Sequence, residues 1–337
     1  MQDTASVAAR RSQSSPVFIL GITRRSGTTF LKELLCLHPD CYSGGVIHED
    51  FLLSNAPLLV KYATLVPINW SRHWVEGKEC CSSDSMCRSI GDGLISFLKQ
   101  QNPASAAGKI NLAKSELDNP FGLPAKRLVT RTPSVKNLGL FFRFFPGASL
   151  LIIVRDGRSV VESGVKSFGW HYEDAFRSWA SAARTILNFD SVQKKSQHKY
   201  MIVKYEELHS DTEGQLKKIF EFLGLESGKY DFNAAVNLPV LGSSQLKDSG
   251  QAEVHWRPVE KSQDFDPTMR WKGWPRGLHE RFNRAAGGYL LEFGYAKKEY
   301  RAFRLPWGIL NILLDLKYVF RVAARRVLRL LKRLLKR

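Results

Sequence analysis

Apolar residues along this chain fall into short continuous runs separated by polar turns and amphipathic stretches. Val17–Gly21 (Val-Phe-Ile-Leu-Gly) and Ser149–Val154 (Ser-Leu-Leu-Ile-Ile-Val) have no polar alternation. Runs of that length, rich in β-branched and aliphatic residues, predict strands buried on both faces. Arg127–Thr130 and Tyr200–Tyr205 predict two more. Between them the apolar spacing changes to three and four residues. Phe30–Leu37 carries Leu31, Leu34 and Leu35 and closes at His38-Pro39-Asp40, which predicts a helix. Further helices are predicted over 134–145, from Arg158 to about Phe168, over Tyr172–Lys195, from Tyr205 to Leu223, and over Gly277–Phe293.

Strands alternating with helices predict an α/β fold of three layers, a central parallel sheet flanked by helices. Ligands of such sheets bind at the carboxyl ends of the strands. Residues 41–125 hold short helical patches such as Asp92–Gln101 among Pro, Gly and Cys, and are expected to form an acceptor region of loops and short helices. Residues 226–275 read as a long loop, and no internal repeat is evident.

Two strand-to-helix turns carry candidate chemistry. The first is Gly21-Ile-Thr-Arg-Arg-Ser-Gly-Thr-Thr29. A helix starting there aims backbone N–H groups and its dipole at an anion. Gly27 permits close approach, Thr28 and Thr29 add hydroxyls, and Arg25 adds a forked cation. Nucleotide hydrolases space their glycines by four residues and follow them with Lys. Here five residues separate Gly21 from Gly27, and Thr28 stands where that Lys would be. The second turn is Arg155-Asp-Gly-Arg-Ser-Val-Val-Glu-Ser163, with Arg155 at a strand end and Ser163 two helical turns on. Read alone, each turn could be a capped helix start; together, each following an apolar strand, they point to a ligand with two phosphates.

Arg25-Ser26-Gly27-Thr28-Thr29 resembles the 5'-phosphosulfate loop of sulfotransferases, and the continuation to Leu-His-Pro-Asp40 is similar to the tyrosylprotein and bacterial branches. Arg155 and Ser163, eight residues apart, resemble that family's 3'-phosphate pair. Tyr205 resembles its adenine-contacting tyrosine. Arg131-Thr-Pro133 resembles its Lys-x-Pro segment, with Arg in place of Lys. Arg270-Trp-Lys272-Gly273 resembles, more loosely, a late basic loop that closes over the 3'-phosphate.

The resemblance implies a P-loop-like sulfotransferase fold and a metal-independent transfer of sulfonate from 3'-phosphoadenosine 5'-phosphosulfate (PAPS) to an acceptor hydroxyl. Sugar, lipid and peptide hydroxyls all stay open as acceptors, with a glycolipid, lipid or carbohydrate suited to an enzyme held at a surface by its tail. It also implies a role for Arg25 at the bridging and sulfonate oxygens and for Arg131 at the transferring sulfonate. A general base is expected just past the first helix, where His48-Glu49-Asp50 stands. Glu49 is favoured and His48 stays a contender, because the segment after Gly44-Gly45 is two or three residues longer than in the tyrosylprotein branch. A kinase-like nucleotide-binding protein, or an adaptor acting through its tail, is the alternative. The missing P-loop Lys opposes the first, and two phosphate turns stay unexplained by the second.

Charge sharpens this picture. The chain of 337 residues carries a formal +18. Nine of its basic residues, with no acid, lie between Lys317 and Arg337. In the same tail Leu313, Leu316, Phe320, Ala323, Val327, Leu330 and Leu334 recur on one stripe. This predicts a basic amphipathic helix suited to an anionic membrane surface, with packing on its own domain as the alternative. It lacks interleaved aromatics for base stacking, so nucleic acid is not an expected partner. The expected organisation is a flexible N-terminus over 1–15, a sulfotransferase domain over 16–300 and the basic helix over 301–337.

Met1–Ser15 is polar without an apolar h-region, and no long uncharged apolar stretch occurs. The expected location is cytoplasmic, peripheral at the inner membrane face. Five cysteines, Cys36, Cys41, Cys80, Cys81 and Cys87, match neither a disulfide framework nor a zinc site. Loop thiols or a local disulfide are expected at 80–87.

Overall fold

Val17–Gly21 (β1) forms the centre of a five-stranded sheet in a computed structural model that describes residues 15–43, 45–101, 126–239, 266–297 and 307–334. The sheet order is β2-β3-β1-β4-β5, with β2 at Cys41–Ser43, β3 at Arg127–Thr132, β4 at Ser149–Val154 and β5 at Tyr200–Lys204. Every pairing is parallel: Ile19 lies opposite Arg131 on one side and Leu151 on the other. All residues of β1, β3 and β4 are buried, as the unalternated apolar runs of β1 and β4 require.

The helices among the described residues are α1 (Thr28–Cys36), α2 (Ala56–Leu65), α3 (Arg72–Val75), α4 (Ser83–Gln100), α5 (Phe141–Phe144), α6 (Gly157–Phe168), α7 (Tyr172–Gln193), α8 (Tyr205–Ser210), α9 (Thr212–Leu223), α10 (Phe232–Val236), α11 (Arg276–Glu292) and α12 (Trp307–Leu334). They divide with the strands into two compact units. The first comprises residues 1–155 and 182–265, the second 156–181 and 266–337.

In the first unit the two faces of β1 enter different layers. Val17 and Ile19 pack with Leu31, Leu34 and Leu35 of α1 and with Leu216, Ile219 and Phe220 of α9. Phe18 points the other way, its ring 5.2 Å from Phe141 and 4.8 Å from Phe145. This is the expected α/β, three-layer arrangement, with the sheet between helices. The second unit has an aromatic core instead: Phe282 meets Phe176 edge-on at 5.1 Å and Trp179 at 5.8 Å.

Several boundaries differ from the sequence reading. The helix expected over 134–145 is a 3-10 turn, Leu138–Leu140, followed by the four residues of α5. Asn137 breaks it: its φ is 61° and its side-chain amide donates to Leu53 O at 2.7 Å. Tyr205 opens α8 rather than ending β5, and the helix expected to continue to Leu223 is interrupted at Asp211, whose carboxylate accepts from Gly214 N–H and starts α9. The patch at Asp92–Gln101 is the second half of the longer α4. The loop expected over 226–275 contains α10, capped by Asp231. β3 runs two residues further than expected, and β2 had no signal.

All five cysteines carry free thiols. Cys80 and Cys81 lie side by side at Sγ–Sγ 3.8 Å without a bond. Of the two expectations for 80–87, loop thiols or a local disulfide, the thiols are free, and Cys87 is a buried residue of α4 rather than of a loop. The expected N-terminal segment, except Ser15, and the acceptor region over 102–125 lie outside the described residues, as does most of the loop after Leu238.

Candidate functional site

β1 ends at Gly21, and the chain turns through Ile22–Ser26 before α1 begins. The turn is braced internally: Ser26 is fully buried and its hydroxyl donates to Thr23 O at 2.7 Å. Arg25 holds a left-handed backbone, φ 72°, which a non-glycine residue keeps only where its surroundings enforce it. Its carbonyl accepts from Arg155 Nη1 at 2.6 Å. Gly27, at φ 98°, is the N-cap of α1 and offers no side chain to the first-turn amides of Thr28, Thr29 and Phe30. No acidic residue sits in that turn. Those N–H groups have no intrahelical acceptor, and the dipole adds partial positive charge where they point.

Tyr205 explains why position 27 must lack a side chain. A Cβ on Gly27 would meet the Tyr205 ring at 2.3 Å. Above the same ring, at 4.4 Å from its centroid, lies the Arg155 guanidinium. The Phe30 ring meets it edge-on at 6.1 Å. Gly27, Tyr205 and Arg155 are residues of one packed cluster at the carboxyl ends of β1, β4 and β5.

The carboxylate segment is fixed from β3. Arg131 Nη1 donates to Glu49 Oε1 at 2.9 Å and, more weakly, to Thr28 Oγ1 at 3.4 Å. The Arg131 side chain is 7% exposed, and its buried Nε has no acceptor among the described residues. Asp50, beside Glu49, faces the opposite way. Its carboxylate accepts from Thr130 Oγ1 and Thr132 Oγ1, both at 2.8 Å, and from Leu52 N–H at 3.0 Å. Asp50 N–H donates to Arg131 O at 3.1 Å. Adjacent strand residues alternate sides, so Arg131 takes Glu49 while its neighbours take Asp50. Burial pushes the Asp50 carboxyl above its ordinary value, and the hydrogen bonds from Leu52, Thr132 and Thr130 hold back part of that rise. His48, the other candidate base, is exposed.

The remaining candidates lie in the second unit, which the chain enters after Arg155. Ser163, fully buried in α6, accepts from Arg270 Nη1 at 3.1 Å, so two residues 107 apart in sequence meet. Lys272 is exposed and 3.8 Å from Asp266. A Cβ on Gly273 would meet nothing within 4 Å, so that glycine is not required by packing. Beside them Arg158 is clamped by Asp156 at 2.6 Å and stacks on the Trp271 ring at 3.7 Å.

Sequence reasoning gave Asp50 no role of its own and passed over Thr130 and Thr132. The alternation Thr130-Arg131-Thr132 at a strand end was the signal present; their partner lies 80 residues earlier. Arg158 and Trp271 had none. Thr29 belongs to the first turn of α1, where it contributes a backbone amide and a hydroxyl.

Comparison with known proteins gives one family. The model of the sulfotransferase family matches residues 16–229. Protein-tyrosine sulfotransferase 2 of Gallus gallus is 25% identical over 233 residues, 67% of this chain and 55% of that protein. Protein-tyrosine sulfotransferase of Drosophila melanogaster is 26% identical over 220 residues, 63% of this chain and 38% of that protein. The chain thus spans about half the length of these curated relatives. Among solved structures, the sulfotransferase domain of the curacin biosynthetic pathway aligns with 85% of this chain and 99% of its own at 17% identity and a TM-score of 0.42. The sulfotransferase domain of the Synechococcus olefin synthase aligns with 70% of this chain and 82% of its own at 22% identity and a TM-score of 0.37.

Proposed function

The chain belongs to the sulfotransferase family, and from that premise we propose that it carries sulfonate from PAPS to an acceptor hydroxyl with Glu49 as general base. The observation that carries this reading is the Glu49–Arg131–Thr28 chain of contacts, which sets a carboxylate and a guanidinium beside the N-terminus of α1.

The residues fit an anionic donor. Gly27 leaves the α1 amides without a side-chain cap, and Arg131 keeps a buried N–H donor without an acceptor among the described residues. PAPS supplies an activated sulfonate on a 5'-phosphate. The chain must then do three things. Glu49 accepts the proton of the acceptor hydroxyl as the oxygen attacks, a step worth about 10²–10⁴-fold. Arg131 orients Glu49 and presents its guanidinium to the sulfonate oxygens. Arg25, the α1 amides and the Thr28 and Thr29 hydroxyls stabilise the charge that grows on the leaving phosphate, by donors fixed beforehand rather than recruited during the step. Arg155 stacks on Tyr205, where a 3'-phosphate and an adenine would meet a cation and a ring.

The acceptor is a hydroxyl compound. The names of the relatives speak of protein tyrosine, while the tail pattern favours a glycolipid, lipid or carbohydrate alcohol. Transfer of radiolabelled sulfonate from PAPS to tyrosine peptides and to lipid alcohols separates these classes.

The donor site is tested by calorimetry with 3'-phosphoadenosine 5'-phosphate in the absence of magnesium. Tight binding that Arg155→Ala weakens severely supports the reading. No binding to the wild type, or binding that equals that of ADP and requires magnesium, sinks it and favours a kinase-like nucleotide site.

A further inference from the structure

The polar side of α12 faces inward. Gly308 and Asn311 are buried, and Asp315, Tyr318 and Val322 are half-buried, one inner side at three- and four-residue spacing. Asn311 is 3% exposed, and its backbone carbonyl accepts from Arg281 Nη1 at 3.1 Å. Asp315 accepts from Arg281 Nη2 at 2.7 Å and also pairs with Arg177 and Arg284. Arg177 in turn lies 4.1 Å over the Tyr318 ring. One turn further on, Arg321 Nη2 reaches Asp174 at 2.7 Å.

The opposite side is apolar and exposed. Ile309, Ile312, Leu313, Leu316, Val319 and Phe320 all face outward, Phe320 at 73% exposure. An amphipathic helix ordinarily turns its apolar stripe toward the body it packs on. Here a set of ion pairs holds the reverse rotation, so the apolar stripe is presented rather than left over. The stripe continues to Val327, Leu331 and Leu334. The only acid between Trp307 and Leu334 is Asp315, which is engaged inward, whereas Lys317, Arg325, Arg326 and Lys332 are exposed.

We propose that α12 lies in the interface of an anionic lipid bilayer, with Leu313, Leu316 and Phe320 inserted and the cations on the lipid phosphates. Charge selects this occupant. A second copy would set one row of cations against another. A nucleic acid would satisfy the cations but leave the large apolar side chains of the stripe in water. An anionic bilayer takes both groups at once, the side chains among acyl chains and the cations at the headgroups. No helix of the described residues is long and apolar enough to cross a membrane, and an interfacial helix does not need to. The docking is independent of sulfonate transfer and extends it: an enzyme on a bilayer meets acceptors carried there.

The test is cosedimentation of the full chain with vesicles of phosphatidylcholine mixed with phosphatidylglycerol, and with phosphatidylcholine alone. The wild type is expected to sediment with the mixed vesicles, to stay in solution with the neutral ones, and to be released by high salt. Leu316→Asp combined with Phe320→Asp should weaken binding at least about tenfold. Lys317→Glu combined with Arg326→Glu, which alters no packed side chain, should do the same on mixed vesicles. Binding of 3'-phosphoadenosine 5'-phosphate serves as the folding control and should be unchanged in both. The proposal fails if the wild type ignores anionic vesicles. It fails equally if both double variants sediment as the wild type does, or if the exposed stripe instead holds a dimer that vesicles do not dissociate. Loss of transfer activity with vesicle binding intact would count against the catalytic reading and leave the docking standing.

Discussion

In the first unit the buried Asp50 is surrounded by neutral donors, two threonine hydroxyls and a backbone amide, and its carboxyl is pushed up by burial. In the second unit the half-buried Glu173 and Asp315 lie among arginines. Burial pushes these carboxyls up too, but hydrogen bonds and charges from Arg281 and Arg177 outweigh it and hold both below their ordinary values. Glu162, with Trp274, Lys166 and Tyr172 as donors, is held down in the same sense. The contrast is one of use. Neutral donors fix Asp50 and leave the Arg131 guanidinium to Glu49. Ion pairs in the second unit neutralise one another and clamp α7, α11 and α12.

The comparison is open to attack at several points. Glu49→Gln should lower kcat by about 10²–10⁴-fold while calorimetric binding of 3'-phosphoadenosine 5'-phosphate survives. Transfer at the wild-type rate would return the role to His48, whose replacement by Ala is expected to leave turnover near wild type. Arg281→Met should destabilise the second unit by about 1.5–3 kcal/mol in denaturant unfolding, because the half-buried Glu173 and Asp315 would lose charged hydrogen bonds and keep Arg177. Gly27→Ala should cost about 1–3 kcal/mol through its left-handed backbone alone, and donor affinity should fall further as the Tyr205 ring is displaced. Asp50→Asn should lower kcat by about tenfold through misplacement of Glu49. Added to Glu49→Gln it should lower kcat no further, which a merely destabilising change would not reproduce.

The smallest effect concerns pH, and its sign differs between the units. Glu162, Glu173 and Asp315 have native values below their unfolded ones. Their stabilisation is complete above the ordinary values of 4.5 for Glu and 3.8 for Asp, and is lost as pH falls through the native values. Asp50 has a native value above its unfolded one, so protonation on acidification favours the folded first unit. Hydrogen exchange followed from neutral pH to below 4 should therefore show α11 and α12 losing protection before β3 and the Asp50 segment. Simultaneous loss would show that the ion pairs do not govern the second unit.

Much of the first unit was legible in the sequence because β1 and β4 are buried on both faces and so carry unbroken apolar runs. The strand-to-helix turn over 21–29 was legible because its residues are contiguous. What escaped was set by contacts distant in sequence. α4 was expected only from Asp92 onward, yet the helix runs through Gly91, where a Cβ would meet Phe144 O at 2.0 Å. Cys41–Ser43 is too short for any periodicity to show. Asp50 depends on threonines of β3 that no local pattern connects to it. In α12 the stripe was readable, but not which side the body takes, because that is decided by Arg177 and Arg281 on other helices.

The contact between Gly27 and the Tyr205 ring also constrains how this chain can vary. The two positions stand 178 residues apart in the sequence, yet position 27 cannot gain a side chain while the ring at 205 stays in place. A side chain at 27 becomes sterically admissible only after the ring at 205 has been reduced, and reducing the ring removes the surface on which Arg155 lies. Variation at 27 is thus conditional on 205, and the barrier is steric.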